Sequence, residues 1–370
     1  MHYVLAFLMG IMQQPDSLEL RQQILALHIQ ELTIDNIHDV GDDYCLVAVT
    51  LKPNIKVQVW MPKKGWNGRF LGTGNGGSGG RIITDKLAYG VQRGFATANT
   101  DLGTSNGVDE AIHQPARWAD FGYRATHLMT EIGKQIVTAY YRRPPHHAYF
   151  WGCSTGGQQA LMEAQRYPLD YNGIIAGAPA NNRTHLHMQL LYNYLVTKGL
   201  FPAADFTHLN TLQEAALQKV HKGPVNPRTG EQIYCGVPAG TEKSDGGIGV
   251  LSSEVFLYPF RWVFGADYDY SRFDFDKDAA VVDSLLAPVL NATTPDLTRF
   301  KNAGGKLIMY TGKDDSLVPA CDAMKYYEQV KGREEFFKYF LIPGMCHCSS
   351  GIEVERIVQW VEDGIVPDRM

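Results

Sequence analysis

The sequence has no Cys-x-x-Cys pair, no internal repeat or low-complexity tract and no excess of positive charge. After its first twelve residues it also has no apolar run approaching bilayer length. The first absence removes the common structural zinc signatures, leaving six cysteines (Cys45, Cys153, Cys235, Cys321, Cys346 and Cys348) for other uses. With 34 Lys and Arg against 39 Asp and Glu, a formal charge of -5, no footprint for nucleic acid or an anionic membrane stands out, and small, weakly charged substrates fit better. The opening Met1 to Met12 is apolar but short and lacks a basic n-region, so it reads either as a signal remnant or as a first core segment. What remains is an ordinary globular composition. Its 370 residues, 45% of them hydrophobic, can fill one large core and a smaller insert.

Alternating apolar residues over Tyr44 to Leu51 and Ile55 to Trp60, separated by Lys52-Pro53-Asn54, predict an antiparallel hairpin. Later runs are short and continuously apolar: Phe70-Leu71, Gly94 to Ala98, Ala148 to Trp151, Gly173 to Ala176, Lys306 to Tyr310 and Phe337 to Ile342. That is the form of parallel strands covered on both faces. Helical stripes lie between or after them at Ala125 to Tyr141, Asp322 to Val330 and Ile352 to Glu362. The alternation predicts a doubly wound, mostly parallel α/β sheet with ligands beyond the carboxyl ends of its strands. From about Asn181 to Trp262 the alternation stops among clusters such as Lys222-Gly223-Pro224 and Ser244-Asp245-Gly246-Gly247. This stretch reads as a lid insert. Met188, Leu190, Tyr192, Tyr194 and Phe201 are candidates for lining a pocket, or else for the insert's own core.

The segment Tyr149 to Gly157 runs an apolar strand into Gly152-Cys153-Ser154-Thr155-Gly156 and then into a helical pattern. A strand reversing sharply into a helix needs glycines beside its tip, and the tip residue is presented in a strained conformation. Ser154 is therefore the candidate nucleophile. A serine hydroxyl needs a base, and the base an orienting acid. His347 follows the last strand and the turn Pro343-Gly344. Asp315 follows the strand at Lys306 to Tyr310, with Asp314 as its competitor for the acid. The order Ser, Asp, His is that of α/β-hydrolases. Oxyanion donors are expected from the amide of Thr155 and from the glycine loop after Phe70-Leu71, with Gly76 and Gly77 as candidates.

That loop also matches a dinucleotide fingerprint, Gly74-x-Gly76-x-x-Gly79 with Asp101 further on, but no helix clearly opens after Gly80. Asp267-x-Asp269-x-Ser271 begins like a calcium loop, yet Arg272 stands where the turn demands glycine. His185-x-His187 is a weak zinc hint, better read as the surface of a lid helix. No metal and no cofactor are expected.

From about Trp66 to Trp360 the chain resembles the tannase and feruloyl esterase family. The likeness rests on Gly68-Arg69-Phe70-Leu71, Gly74-Asn75-Gly76-Gly77, Asp120-Phe121-Gly122-Tyr123-Arg124, Gly152 to Gly157, Glu163 to Pro168 and Gly177-Ala178-Pro179-Ala180. The resemblance implies an α/β-hydrolase fold, with Asp315 as the acid and a disulfide from Cys153, before the serine, to Cys348, after the histidine. Such a bridge implies secretion or the periplasm. Six reduced cysteines in a cytosolic chain are the alternative. A second bridge between Cys321 and Cys346 is weakly suggested by their places in the loops of the acid and the base. The family's Asp-rich calcium loop in the lid looks deleted between Val220 and Gly223, and Phe273-Asp274-Phe275-Asp276 matches a family segment read as structural.

The expectations are a hydrolase core over 1–180 and 263–370 with a lid over 181–262. The activity expected is hydrolysis of small aromatic esters (feruloyl or other hydroxycinnamoyl, or galloyl), carried on plant polysaccharide or polyphenol, through an acyl-enzyme. An esterase or thioesterase for other short acyl groups, or a non-catalytic hydrolase-like binding protein, are the alternatives.

Overall fold

The computed structural model describes residues 14–201, 208–242 and 253–368. The apolar opening Met1 to Met12 and the Ser244-Asp245-Gly246-Gly247 cluster lie outside the described residues. Nine strands form one sheet: β1 (Leu32–Val40), β2 (Tyr44–Leu51), β3 (Ile55–Pro62), β4 (Arg69–Thr73), β5 (Ala96–Thr100), β6 (His147–Cys153), β7 (Gly173–Gly177), β8 (Lys306–Gly312) and β9 (Phe337–Ile342). Their order is β1-β2-β3-β5-β4-β6-β7-β8-β9. The first four neighbours pair antiparallel and all pairs from β5–β4 to β8–β9 are parallel.

Strand alternation sends adjacent side chains into two different cores. Phe70, Ile174 and Leu307 join the core on one face, while Leu71, Ile175 and Ile308 join the core on the other with Ile357 and Trp360 of the terminal helix Val354–Glu362. Burying an isoleucine such as Ile175 stabilises by about 2 kcal/mol, and continuous apolar runs do this on both faces at once. β2 has the half-buried pattern its alternation requires, with Cys45, Val47, Val49 and Leu51 inward.

Helices α1 (Ser17–Ala26), α2 (Thr84–Gln92), α3 (Pro115–Ala119), α4 (Ala125–Tyr141) and α5 (Thr155–Arg166) surround this first part of the sheet. Between β7 and β8 the chain leaves the sheet for α6 (Arg183–Thr197), α7 (Thr211–Lys222) and further helices at Tyr258–Phe264, Lys277–Leu290 and Thr298–Asn302. Phe121, Tyr258 and Trp262 meet edge-on or tilted where this excursion packs on the core. Met188 and Tyr194 are buried there, Tyr192 stands edge-on to Phe275, and Phe201 packs against the same core. Of the five proposed pocket-lining residues, only Leu190 reaches the recess beside Ser154. Met188, Tyr192 and Tyr194 are taken up by packing because α6 is buried around most of its circumference, and Phe201, beyond its end, packs on the same core.

Candidate active site

Ser154 stands between the end of β6 and the start of α5, with φ 65° and ψ -120°. A side chain at positive φ is held there only where the surroundings over-determine it. Here its N–H donates to Gly177 O at 2.9 Å, and its carbonyl accepts from Ala180 at 3.2 Å and Gln158 at 3.0 Å. The flanking glycines are required by contact: a Cβ on Gly152 would strike the Gly156 carbonyl, and one on Gly157 the Gly177 carbonyl.

His347 lies in the loop after β9, its side chain 11% exposed, with Nδ1 2.8 Å from Asp315 Oδ2. Asp315 is fully buried, and its Oδ1 accepts from Leu317 N (3.0 Å) and Val318 N (2.7 Å). One carboxylate thus caps the turn after β8 and carries the imidazole. The imidazole faces Asp315 and not Asp314, whose backbone N–H is tied to Met345 O. His347 Nε2 lies 3.7 Å from Cys348 Sγ.

Cys153 and Cys348 form a disulfide with Cα atoms 6.1 Å apart. Cys348 is itself at φ 51°. The other bridge joins Cys235 to Cys321, leaving Cys346 as a free thiol; the suggested Cys321–Cys346 pairing does not form. Cys321 opens the helix Cys321–Gln329 and meets the insert there, whereas Cys346 turns with Ser349, whose Oγ accepts its N–H.

Ser154, His347, Gly76, Gly77 and both half-cystines of the 153–348 bridge line one cavity of about 510 Å³, walled by Trp151, Phe256, Tyr310 and Leu317 and reached by Lys86. A narrower recess beside Ser154 adds Leu186, His187 and Leu190 of α6. The glycine loop is lashed to the serine's own strand and helix. Gly74 N donates to Trp151 O (3.0 Å), Gly156 N to Asn75 O (2.9 Å), and Gln159 Oε1 accepts from Asn75 N (2.8 Å). Among the described residues, the amides of Gly76 and Gly77 find no protein acceptor. The Thr155 amide is at the first position of α5, where no intrahelical acceptor exists. These N–H groups are available to a ligand oxygen.

Arg183 was not singled out by sequence reasoning. It is 2% exposed, and it donates to Gly77 O (3.1 Å), Thr155 Oγ1 (3.2 Å) and Tyr258 OH (2.6 Å) while its guanidinium covers the Phe121 ring. It fastens the glycine loop, α5 and the insert together; an arginine in a helix start carries no sequence signal for that. Phe256 and Trp151 were missed for the same reason.

The rejected motifs are occupied otherwise. After Gly80 no helix begins until Thr84, and Asp101 accepts from Lys56 N and Gly103 N. His185 bonds Ile233 O and Asp283. His187 is buried against Phe256 O, and burial pushes its imidazole down to about 3, so it is neutral. His187 is not the surface residue expected, because its side of α6 is enclosed, whereas the His185 side chain is 33% exposed. Asp269 accepts from the N–H and hydroxyl of Ser271, and Asp276 holds Arg228 and Asn226.

On such a sheet a strained serine at a strand-to-helix turn defines an α/β-hydrolase, and the relatives of this chain make it a carboxylic ester hydrolase. It belongs to the tannase and feruloyl esterase family, whose model matches residues 39–222 and 259–370. An uncharacterized esterase of Xanthomonas campestris pv. campestris is 29% identical over 88% of this chain and 77% of its own length. A probable feruloyl esterase B-2 of Aspergillus flavus is 27% identical over 88% and 79%. Among solved structures, feruloyl esterase B from Aspergillus oryzae superposes with a TM-score of 0.78 at 22% identity, covering 95% of this chain and 92% of that one. A tannin acyl hydrolase from Aspergillus niger superposes with a TM-score of 0.71 at 20% identity, covering 96% and 86%. Among the described residues no helix is long and apolar enough to cross a membrane.

Proposed function

We propose that this esterase cleaves small aromatic carboxylic esters, of the hydroxycinnamoyl (feruloyl) or galloyl kind, through an acyl-enzyme on Ser154. The observation that carries the reading is His347, held by the buried Asp315 at 2.8 Å, on the cavity that Ser154 also lines. His347 takes the serine proton during attack and returns it to the departing alcohol. Asp315 holds the imidazole tautomer, and the amides of Thr155 and of Gly76 or Gly77 receive the oxyanion. Water then releases the acid. An apolar cavity of about 510 Å³ walled by Trp151 and Phe256 suits an aromatic acyl group.

Residues 181–262 act in this reading as a lid, which Phe256 and the recess residues of α6 support. The alcohol side is a plant polysaccharide or polyphenol. Two disulfides favour work in an oxidising compartment, secreted or periplasmic. Methyl ferulate, methyl gallate and p-nitrophenyl acetate assayed side by side, with and without reductant, test the proposal. A kcat/KM on either aromatic ester well above that on acetate supports it; turnover of acetate alone assigns the triad to short acyl groups.

A further inference from the structure

The Ser154 cavity is mostly apolar, with Asn75, Ser154, His347, Ser350 and Lys86 as the polar side chains on its lining. Among the described residues Lys86, on the first turn of α2, is the only Lys or Arg that lines it. Its Nζ donates to Gly74 O at 2.8 Å and stands 5.6 Å from the centre of the Trp151 ring. Among the described residues it has no carboxylate within 4 Å and no other acceptor, so an ammonium with three N–H groups satisfies one of them in the protein. Trp151, on the same wall, has its indole Nε1 buried without an acceptor among the described residues.

A desolvated, unpaired cation is a cost that folding tolerates and that an incoming anion offsets. Burial pushes the Lys86 ammonium down to about 8, in keeping with that cost. The glycine loop does not depend on the Lys86 charge: its backbone is already bound by Trp151, Gln159, Gly156 and Arg183. The uncompensated donor is directed to what enters the cavity.

We propose that Lys86 is a specificity-determining residue that takes an acidic oxygen, a carboxylate or a phenol, carried by the ester bound in this cavity. The inference rests on the esterase reading of the cavity and narrows its substrate class to esters with such an oxygen. A charge-assisted bond of this kind corresponds to about a tenfold to hundredfold gain in affinity.

The test uses the Ser154→Ala protein, which binds without turnover, titrated calorimetrically with three methyl cinnamates bearing a para carboxylate, hydroxyl or methyl group. The carboxylate or the hydroxyl ester should bind at least tenfold more tightly than the methyl one, and whichever gains names the oxygen. Adding Lys86→Met, which keeps the stem and removes the charge, should shrink that preference to within about twofold, and Lys86→Arg should restore part of it. Equal weakening of all three ligands by Lys86→Met, or a preference that survives it, overturns the proposal. Turnover by the wild-type protein is read separately: cleavage of none of the three would remove the esterase reading, while the binding series still judges Lys86.

Discussion

Cys153 and Cys348, 195 residues apart in sequence, are joined by a disulfide, and each is the immediate neighbour of a residue the proposed chemistry needs: Ser154 follows the first, His347 precedes the second. The end of β6 and the loop after β9, which would otherwise depend on packing for their relative position, are covalently tied at the point where proton transfer demands fixed geometry. Closing so long a loop also constrains the unfolded chain, by on the order of 4–5 kcal/mol in the entropic account.

Replacing both cysteines of this bridge by alanine should therefore lower the melting temperature and reduce kcat by at least about tenfold, since a 1 Å misplacement can cost more than that. The Cys235→Ala and Cys321→Ala pair, whose bridge lies away from the cavity, should lower the melting temperature with a much smaller effect on kcat. Equal kcat losses in the two variants would argue against a positioning role for the 153–348 link.

Asp315→Asn should cut kcat by about a thousandfold or more. Oδ1 already accepts two backbone N–H groups, so an amide must keep its oxygen there and turn its NH2 toward His347 Nδ1, selecting the wrong tautomer. Asp314→Asn should change kcat by less than about threefold, since the imidazole is held by Asp315 and not by this carboxylate. The reverse ranking in steady-state kinetics would reassign the acid.

Glu362 closes the terminal helix onto the sheet. Its carboxylate takes two bonds from Arg69 (2.7 and 2.6 Å) and one from Tyr149 OH (2.6 Å), and is held down at about 2, chiefly by Arg69. A depressed carboxylate stabilises fully above its ordinary range near pH 4.5 and loses that contribution as pH falls through about 2. Glu362→Gln should cost on the order of 2–3 kcal/mol at pH 7, and the gap to wild type should close between pH 4 and 2. Denaturant unfolding at several pH values checks this; a gap that stays constant with pH would remove the ion pair as its cause.

Much of this was legible in the chain because it is written in local terms. The alternation over Tyr44 to Leu51 and the continuous runs at Gly173 to Ala176 and Lys306 to Tyr310 specify one-faced and two-faced strands directly. The elbow around Ser154 is specified by glycines whose absent side chains the turn requires. β1 escaped notice because it is an edge strand with a register shift between Ile34 and Asn36 and mostly exposed side chains, so it has neither period. The Cys235–Cys321 bridge, Arg183 and Lys86 depend on long-range meetings of the insert and the core, or of α2 and β6, that no local pattern encodes.

Ser154 is proposed above as the nucleophile of an acyl-transfer site. Intact-mass measurement after treatment with an aryl phosphonate fluoride tests it most directly. One adduct is expected on the wild-type protein and none on a folded Ser154→Ala variant. Equal labelling of both proteins, or a wild-type protein that stays unlabelled while it hydrolyses an aromatic ester, would contradict it.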